Sequence, residues 1–328
     1  MDIEKIKTQI FAIQSLSDFN ELALQIFHFQ YKNNLVYRNF VDFLGINSQK
    51  INDYKEIPCL PIEFFKTQII ASVPFHPEIT FQSSGTTDTV KSKSLVFSKS
   101  LYEDSIYNTF YSFYGNPNNY IIAALTPDNL NSPNSSLAYM LNFLIKKTEN
   151  NDSGFYLNKE EELLEIIQSN PHSKIILFGV TYALINFAEH YPLAADNLLV
   201  IETGGMKGQM KEMTRNEVHS FLSQKLSSQV NSEYSMAELM SQAYSIHHGI
   251  FKAPSWMQIR IRDIYDPLYM LGQKKSGGID IIDLANIYTC SFISTKDIGI
   301  MHDNFTFEVL GRYDFSDIRG CNLMQNAF

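Results

Sequence analysis

The chain has 328 residues, 45% hydrophobic and 13% aromatic, enough to bury a large core as one large α/β domain or two. Lysine plus arginine number 26 against 35 aspartates and glutamates, a net charge of −9. That balance argues against nucleic acid as the main partner, because little here could displace phosphate counterions.

The start, residues 1–14, is charged and amphipathic, with Ile3, Ile6, Ile10 and Ile13 at helical spacing and no signal-peptide features. Ser17 is placed to cap a helix through about Gln30 that carries Phe19, Leu22 and Ile26 on one face, and a second helix with Phe40 and Phe43 follows. The proline-punctuated stretch 56–65 is expected to be extended, because residues before proline avoid the helical region. Strands and helices then alternate. A strand at 78–81 leads into the polar loop 83–89, and Ser100 with Glu103 reads as a capping box. Residues 120–125 form a strand, Asn158 with Glu161 opens a helix over 159–168, 175–180 is a strand and 182–190 a helix. The strand 198–202 ends in Thr203-Gly204-Gly205, and Thr214 with Glu217 caps a helix through about Leu226. The final third reads as strands at 257–262, 278–284, 289–294 and 305–310. Repeated strand-helix units followed by a β-rich segment imply a mixed α/β fold. The apolar runs 121–125 and 175–180 have strand length, so no membrane span is expected. Three widely spaced cysteines without metal-ligand spacing fit a reduced, cytoplasmic protein.

Several segments carry chemistry. Ser83, Ser84, Gly85, Thr86 and Thr87 form a small hydroxyl-rich loop whose amides and hydroxyls can converge on phosphate oxygens, and Lys91 and Lys93 just downstream can add positive charge. No G-x-x-x-x-G-K-[ST] occurs, which excludes an ordinary P-loop. Glu238, on a turn after the strand-like residues 227–231, fits a Mg²⁺ ligand beside phosphates, and Tyr234 fits an aromatic that stacks on a base. Glu238 equally fits a solvated helix residue. Asp297 and Arg312, at strand ends, suit the two ribose hydroxyls, although a surface ion pair reads as well for either alone. Arg260 and Arg262 alternate with isoleucine and read as a polar strand face, while Cys59 and Cys290 read as core. His247 and His248 lack a second ligand cluster. Cys321 lies close to Arg312 and Arg319, cations that favour the nucleophilic thiolate.

In order along the chain, the hydroxyl loop, the glycine pair, the aromatic-to-glutamate turn, the aspartate and Gly311-Arg312-Tyr313-Asp314 resemble the motif series of adenylate-forming enzymes. Segments 57–67, 198–208, 232–245, 282–287 and 307–322 are similar to the LuxE-type acyl-protein synthetase family of bioluminescent bacteria, and the likeness runs from about residue 30 to the end. The resemblance implies the large N-terminal domain of that superfamily over 1–310, with a mainly helical start over 1–55. It further implies a short hinge and cysteine-bearing tail over 311–328 and no mobile C-terminal domain. It implies that ATP and Mg²⁺ are used, that Ser83 to Thr87 wrap the phosphates, that Gly204 and Gly205 line the adenine site and that Glu238 binds Mg²⁺. Asp297 and Arg312 would hold the ribose, and Asp314 would take the hinge position. A fatty acid would be adenylated and then transferred to Cys321, ready for an acyl reductase, acyl carrier protein or acyltransferase. The chain departs from the superfamily pattern at Asp88, Ser235 and Ala237, where glycine, glycine and threonine are usual. An acyl-CoA or carrier-protein ligase with an external thiol acceptor, and a nucleotide-binding protein without turnover, are the two rival readings.

Overall fold

The computed structural model describes residues 3–83, 91–204, 213–247 and 249–313. The chain opens with α1 (Ile3–Ile10), α2 (Leu16–Asn33) and α3 (Leu35–Phe43). The cap of α2 is Ser15 rather than Ser17. Ser15 accepts from the Asp18 amide while the Asp18 carboxylate accepts from the Ser15 amide, which leaves Ser17 inside the first turn. The proline stretch is extended through β1 (Leu60–Pro61) but coils into a one-turn helix, α4 (Phe64–Thr67). The expectation of an extended 56–65 fails there because only Ile57 and Leu60 precede a proline; nothing beyond Pro61 is so restricted.

A two-stranded ribbon follows, β2 (Ile79–Gln82) antiparallel to β3 (Lys93–Val96), and then α5 (Lys99–Tyr114). Its cap is Ser98, which accepts from the Leu101 amide; Glu103, expected in a capping box with Ser100, instead accepts from the Tyr139 hydroxyl at 2.7 Å. The remaining elements are β4 (Tyr120–Leu125), α6 (Ser136–Thr148), β5 (Gly154–Phe155), α7 (Glu160–Ser169), β6 (Lys174–Val180), α8 (Thr181–His190), β7 (Leu198–Thr203), α9 (Arg215–Leu226) and β8 (Gln229–Tyr234). They are followed by β9 (Ala243–His247), β10 (Ile250–Lys252), β11 (Met257–Arg262), β12 (Ser276–Asp283), β13 (Phe292–Met301) and β14 (Thr306–Arg312). The Thr214/Glu217 box caps α9 as read from the sequence, whereas α7 starts at Glu160 with no side-chain cap from Asn158.

One long sheet orders the strands β11-β12-β13-β14-β10-β9-β8-β7-β6-β4-β5, with β1 added parallel to β13. From β5 to β8 neighbours run parallel, and from β8 onward they run antiparallel. Strand β8 is the junction, so its carboxyl end opens where the sheet changes character, a place where α/β sheets bind ligands. Alternation divides the parallel half between two cores. Ile122 and Ala124 pack with α5, α6 and the antiparallel half, while Ile121, Ala123 and Leu125 pack with α7, α8 and α9. No helix among the described residues is long and apolar enough to cross a membrane.

Arg260 and Arg262, expected on a polar strand face, are instead buried, at 8% and 4% exposure. Asp280 on the paired β12 lies 3.5 Å from Arg260 and 3.4 Å from Arg262. Arg260 also donates to the carbonyls of Tyr54, Lys55 and Ile57 and to the Cys59 sulfur, fastening the N-terminal segment to the sheet. Arg262 donates to the Thr295 carbonyl and to the Tyr313 hydroxyl, each at 2.7 Å. Gly278 makes room for it, since a Cβ there would sit 2.0 Å from Arg262 Nη1. Cys59 and Cys290 are buried free thiols, and burial pushes both up, Cys290 to about 12, so neither is nucleophilic.

Candidate active site

Four separated segments meet at the carboxyl end of β8. The chain leaves the strand at Tyr234 and turns through Ser235–Met240 without helix, which places Glu238 inside the protein at 5% exposure. The solvated-helix reading of Glu238 therefore falls. Its carboxylate accepts a short hydrogen bond from Ser92, just before β3. The turn is held rigidly from the β12–β13 connection. Asp283 accepts from the Met240 and Ser241 amides at 2.8 and 2.9 Å and from the Ser241 hydroxyl at 2.7 Å, and Asn286 donates to the Glu238 carbonyl at 2.7 Å. Trp256 closes the network by donating to the Ser241 hydroxyl at 2.9 Å. Burial lifts Asp283 to about 6, against these donors.

Asp297 on β13 and Arg312 on β14 are register partners, with Arg312 Nε 3.6 Å from Asp297 Oδ1. Tyr234 donates to the other Asp297 oxygen at 2.7 Å. Its ring is buried against Phe251 and Phe307, each centroid 5.9 Å away, so Tyr234 stands behind Asp297 as an orienting group rather than offering an open face to a base. Burial raises the Tyr234 hydroxyl well above its ordinary pKa, keeping it a donor. Burial also raises Glu238 and Asp297; Ser92 opposes the shift at the first, Tyr234 at the second, and Arg312 at both. Arg312 thus lies within electrostatic reach of both carboxylates.

The other expected residues divide into two groups. Ser83 is at this place: its hydroxyl accepts from the Ser92 amide at 3.1 Å, closing the ribbon that presents Ser92. Gly204 directly follows β7, beside β8, with φ +76°, a left-handed conformation that suits glycine, and Thr203 at the end of the strand faces Glu233. Lys91 and Lys93 are exposed and flank the inward Ser92, so alternation carries both away from Glu238. Ser84, Gly85, Thr86, Thr87, Gly205, Asp314 and Cys321 lie outside the described residues.

Sequence reasoning missed Ser92, Glu202, Glu233 and Asp283. Glu202 is 4% exposed at the end of β7 and accepts from Thr181 at 2.9 Å. Burial works against its charge, but the His219 hydrogen bond and the Arg215 guanidinium outweigh it and hold the carboxyl below its ordinary range. Ser232, His219 and Glu202 are not a proton relay, because the same His219 nitrogen faces both, at 2.8 and 3.6 Å. Glu233 is 5% exposed, accepts from Thr203, and is pushed by burial to about 7. A signal for these residues existed only in part: Asp283, like Asp280, interrupts the otherwise apolar stretch 279–284, and Ser92 sits one step off the Lys91/Lys93 alternation.

The arrangement fits MgATP. No group of three or more His, Cys, Asp or Glu side chains forms a metal cage among the described residues. Mg²⁺ here would rely on one or two carboxylates plus phosphate oxygens, its usual manner beside nucleotides. A buried carboxylate whose charge is disfavoured, as at Glu238, gains from a cation. Asp297, backed by Tyr234 and facing Arg312, presents a fixed acceptor for hydroxyls.

A family model described as "Acyl-protein synthetase, LuxE" matches residues 13–328. No curated protein matches the chain by sequence. Among solved structures, 2-hydroxyisobutyryl-CoA ligase with 2-HIB-AMP and CoA is 11% identical with a TM-score of 0.67, the match covering 96% of this chain and 69% of that one. ATP-bound MatB from Rhodopseudomonas palustris is 15% identical with a TM-score of 0.54, covering 71% of this chain and 47% of that one. The chain thus spans about half the length of the MatB structures it matches. At these identities the likeness shows the fold: a large sheet flanked by helices, as in adenylate-forming ligases.

Proposed function

Because the chain belongs to the LuxE acyl-protein synthetase family, we propose that it activates a carboxylic acid with ATP and passes the acyl group to Cys321. A carboxylate oxygen of the substrate attacks the α-phosphorus of ATP. The bond to the β-phosphate oxygen breaks, giving acyl-AMP and pyrophosphate. The Cys321 thiolate then attacks the acyl carbon, AMP leaves, and a thioester remains. Such phosphoryl chemistry is mostly positioning and charge neutralisation.

The observation that carries the reading is the convergence of Ser92, Glu238, Asp297 and Arg312, from segments far apart in sequence, on the carboxyl end of β8. Glu238 would hold Mg²⁺ against the phosphates, supplying charge stabilisation when bound. Asp297, oriented by Tyr234, and Arg312 would take the ribose, and the hydroxyl loop starting at Ser83 would face the phosphates. The family suggests a fatty acid as substrate. A downstream acyl reductase, carrier protein or acyltransferase would then consume the thioester.

Incubation with MgATP and a radiolabelled acid tests the second step. Label should survive denaturation, leave with neutral hydroxylamine, and be lost in Cys321→Ser while acyl-AMP still forms. Equal labelling of Cys321→Ser would remove Cys321 as the acceptor. Acyl transfer only to added coenzyme A would favour a ligase with an external thiol.

A further inference from the structure

Register pairs place Glu202 of β7, Ser232 of β8, Ser245 of β9, Phe251 of β10 and Phe307 of β14 in one row across the sheet. In a flat sheet the two ends of that row would stand about 19 Å apart. A single guanidinium nevertheless reaches both. Arg215, the first residue of α9, has Nε 3.4 Å from Glu202 Oε1, and its Nη1 donates to the Val309 carbonyl, two residues past Phe307, at 2.9 Å. The sheet is therefore curled at this row, and Arg215 lies across the curl. Its guanidinium carbon also stands 4.9 Å from the centroid of the Phe251 ring, which packs against Phe307 and Tyr234.

The two ends of this bridge belong to the two sides of the site. Glu202 stands two residues before Gly204, and Val309 stands three before Arg312. Between them, the aromatic cluster under the guanidinium contains Tyr234, the donor to Asp297. Sheltering the Glu202 charge does not by itself require the arginine, because Thr181 donates to that carboxylate and His219 lies 3.6 Å from it. What arginine adds is a planar fork of donors that serves two acceptors at once, which a lysine ammonium on its single stem cannot reproduce.

Building on the nucleotide site proposed above, we propose that Arg215 is a positioning residue for ATP. By tying β7 to β14 across the curl, it fixes the spacing between the Gly204 side of the site and Arg312. It touches neither the acid nor the reacting atoms, so its effect falls on ATP affinity rather than on the acid.

The test is the Kd for ATP by titration calorimetry, beside KM for ATP and for the acid in pyrophosphate exchange and urea unfolding of each variant. Arg215→Lys keeps a cation beside Glu202 but gives up the fork. It should raise Kd and KM for ATP about tenfold while KM for the acid stays within about twofold. Glu202→Gln cuts the other end and should also weaken ATP; it carries the measurement should Arg215→Lys fail to fold. Because either cut releases the same bridge, the double variant should be no weaker for ATP than the weaker single variant, whereas independent contributions would multiply. ATP affinity unmoved in the folded variants, losses that fall equally on ATP and acid, or losses that multiply would overturn the bridge and leave adenylation standing. Parent protein that binds ATP but exchanges no pyrophosphate overturns adenylation, and the calorimetric shift alone then decides the bridge. Parent protein that binds no ATP overturns both.

Discussion

Glu238→Gln separates activity from stability at one atom. Ser92 donates to a Glu238 oxygen, and an amide oxygen can accept the same bond, so the turn keeps its shape. Burial already raises the Glu238 carboxyl, which means its charge costs stability in the folded state. The sign follows: stability falls as pH climbs from the unfolded toward the folded pKa, and glutamine removes that loss. The variant should therefore be at least as stable as the parent at neutral pH. Its activity should move the other way. Unit charges 4 Å apart interact by about 4 kcal/mol at an effective dielectric near 20, and losing even about 3 kcal/mol of transition-state stabilisation lowers the rate about a hundredfold. The assay is urea unfolding beside acid-dependent AMP formation across a Mg²⁺ titration. A stable variant with unchanged turnover at limiting Mg²⁺ would refute the assignment, and an unfolded variant would show Glu238 to be structural.

Tyr234→Phe removes the donor to Asp297 and leaves the ring packed on Phe251 and Phe307. KM for ATP should rise about tenfold while stability changes by roughly 1.5–3 kcal/mol, the range for a bond to a charged group; an unchanged KM would remove Asp297 from the nucleotide. Arg262→Met leaves Asp280 with Arg260 alone and removes the donor to the Thr295 carbonyl, so urea unfolding should show a loss of about 3–5 kcal/mol; a neutral result would mean that the ion pair is dispensable. Glu233, raised from 4.5 to about 7, keeps its proton in the folded state after the unfolded chain has lost it. Stability should therefore decline between about pH 4.5 and 7, by roughly 3 kcal/mol from this group, and Glu233→Gln should flatten that slope in calorimetry.

Local rules carried the fold a long way. The strand at 120–125 and the box that caps α9 were legible because each depends on neighbours in sequence. Caps were misplaced where several serines compete: Ser15 prevails over Ser17 and Ser98 over Ser100, each because only that hydroxyl reaches the amide three residues on. Helix α6 went unread although it packs Met140, Leu141 and Leu144 into the core. The site was legible as an ordered series of motifs. Its supporting groups were not, because Ser92 meets Glu238 across 146 positions and Asp283 meets Met240 across 43. Nothing local tells a reader that Arg260 and Arg262 are buried; that follows only once β12 brings Asp280 alongside.

The central claim is that a carboxylic acid is joined to AMP at the carboxyl end of β8. Exchange of labelled pyrophosphate into ATP reads that step alone, independently of Cys321 and of any later acceptor. The account predicts exchange that requires Mg²⁺ and an added acid and falls at least about a hundredfold in Glu238→Gln. Folded protein that binds ATP yet exchanges no pyrophosphate with any acid would contradict it.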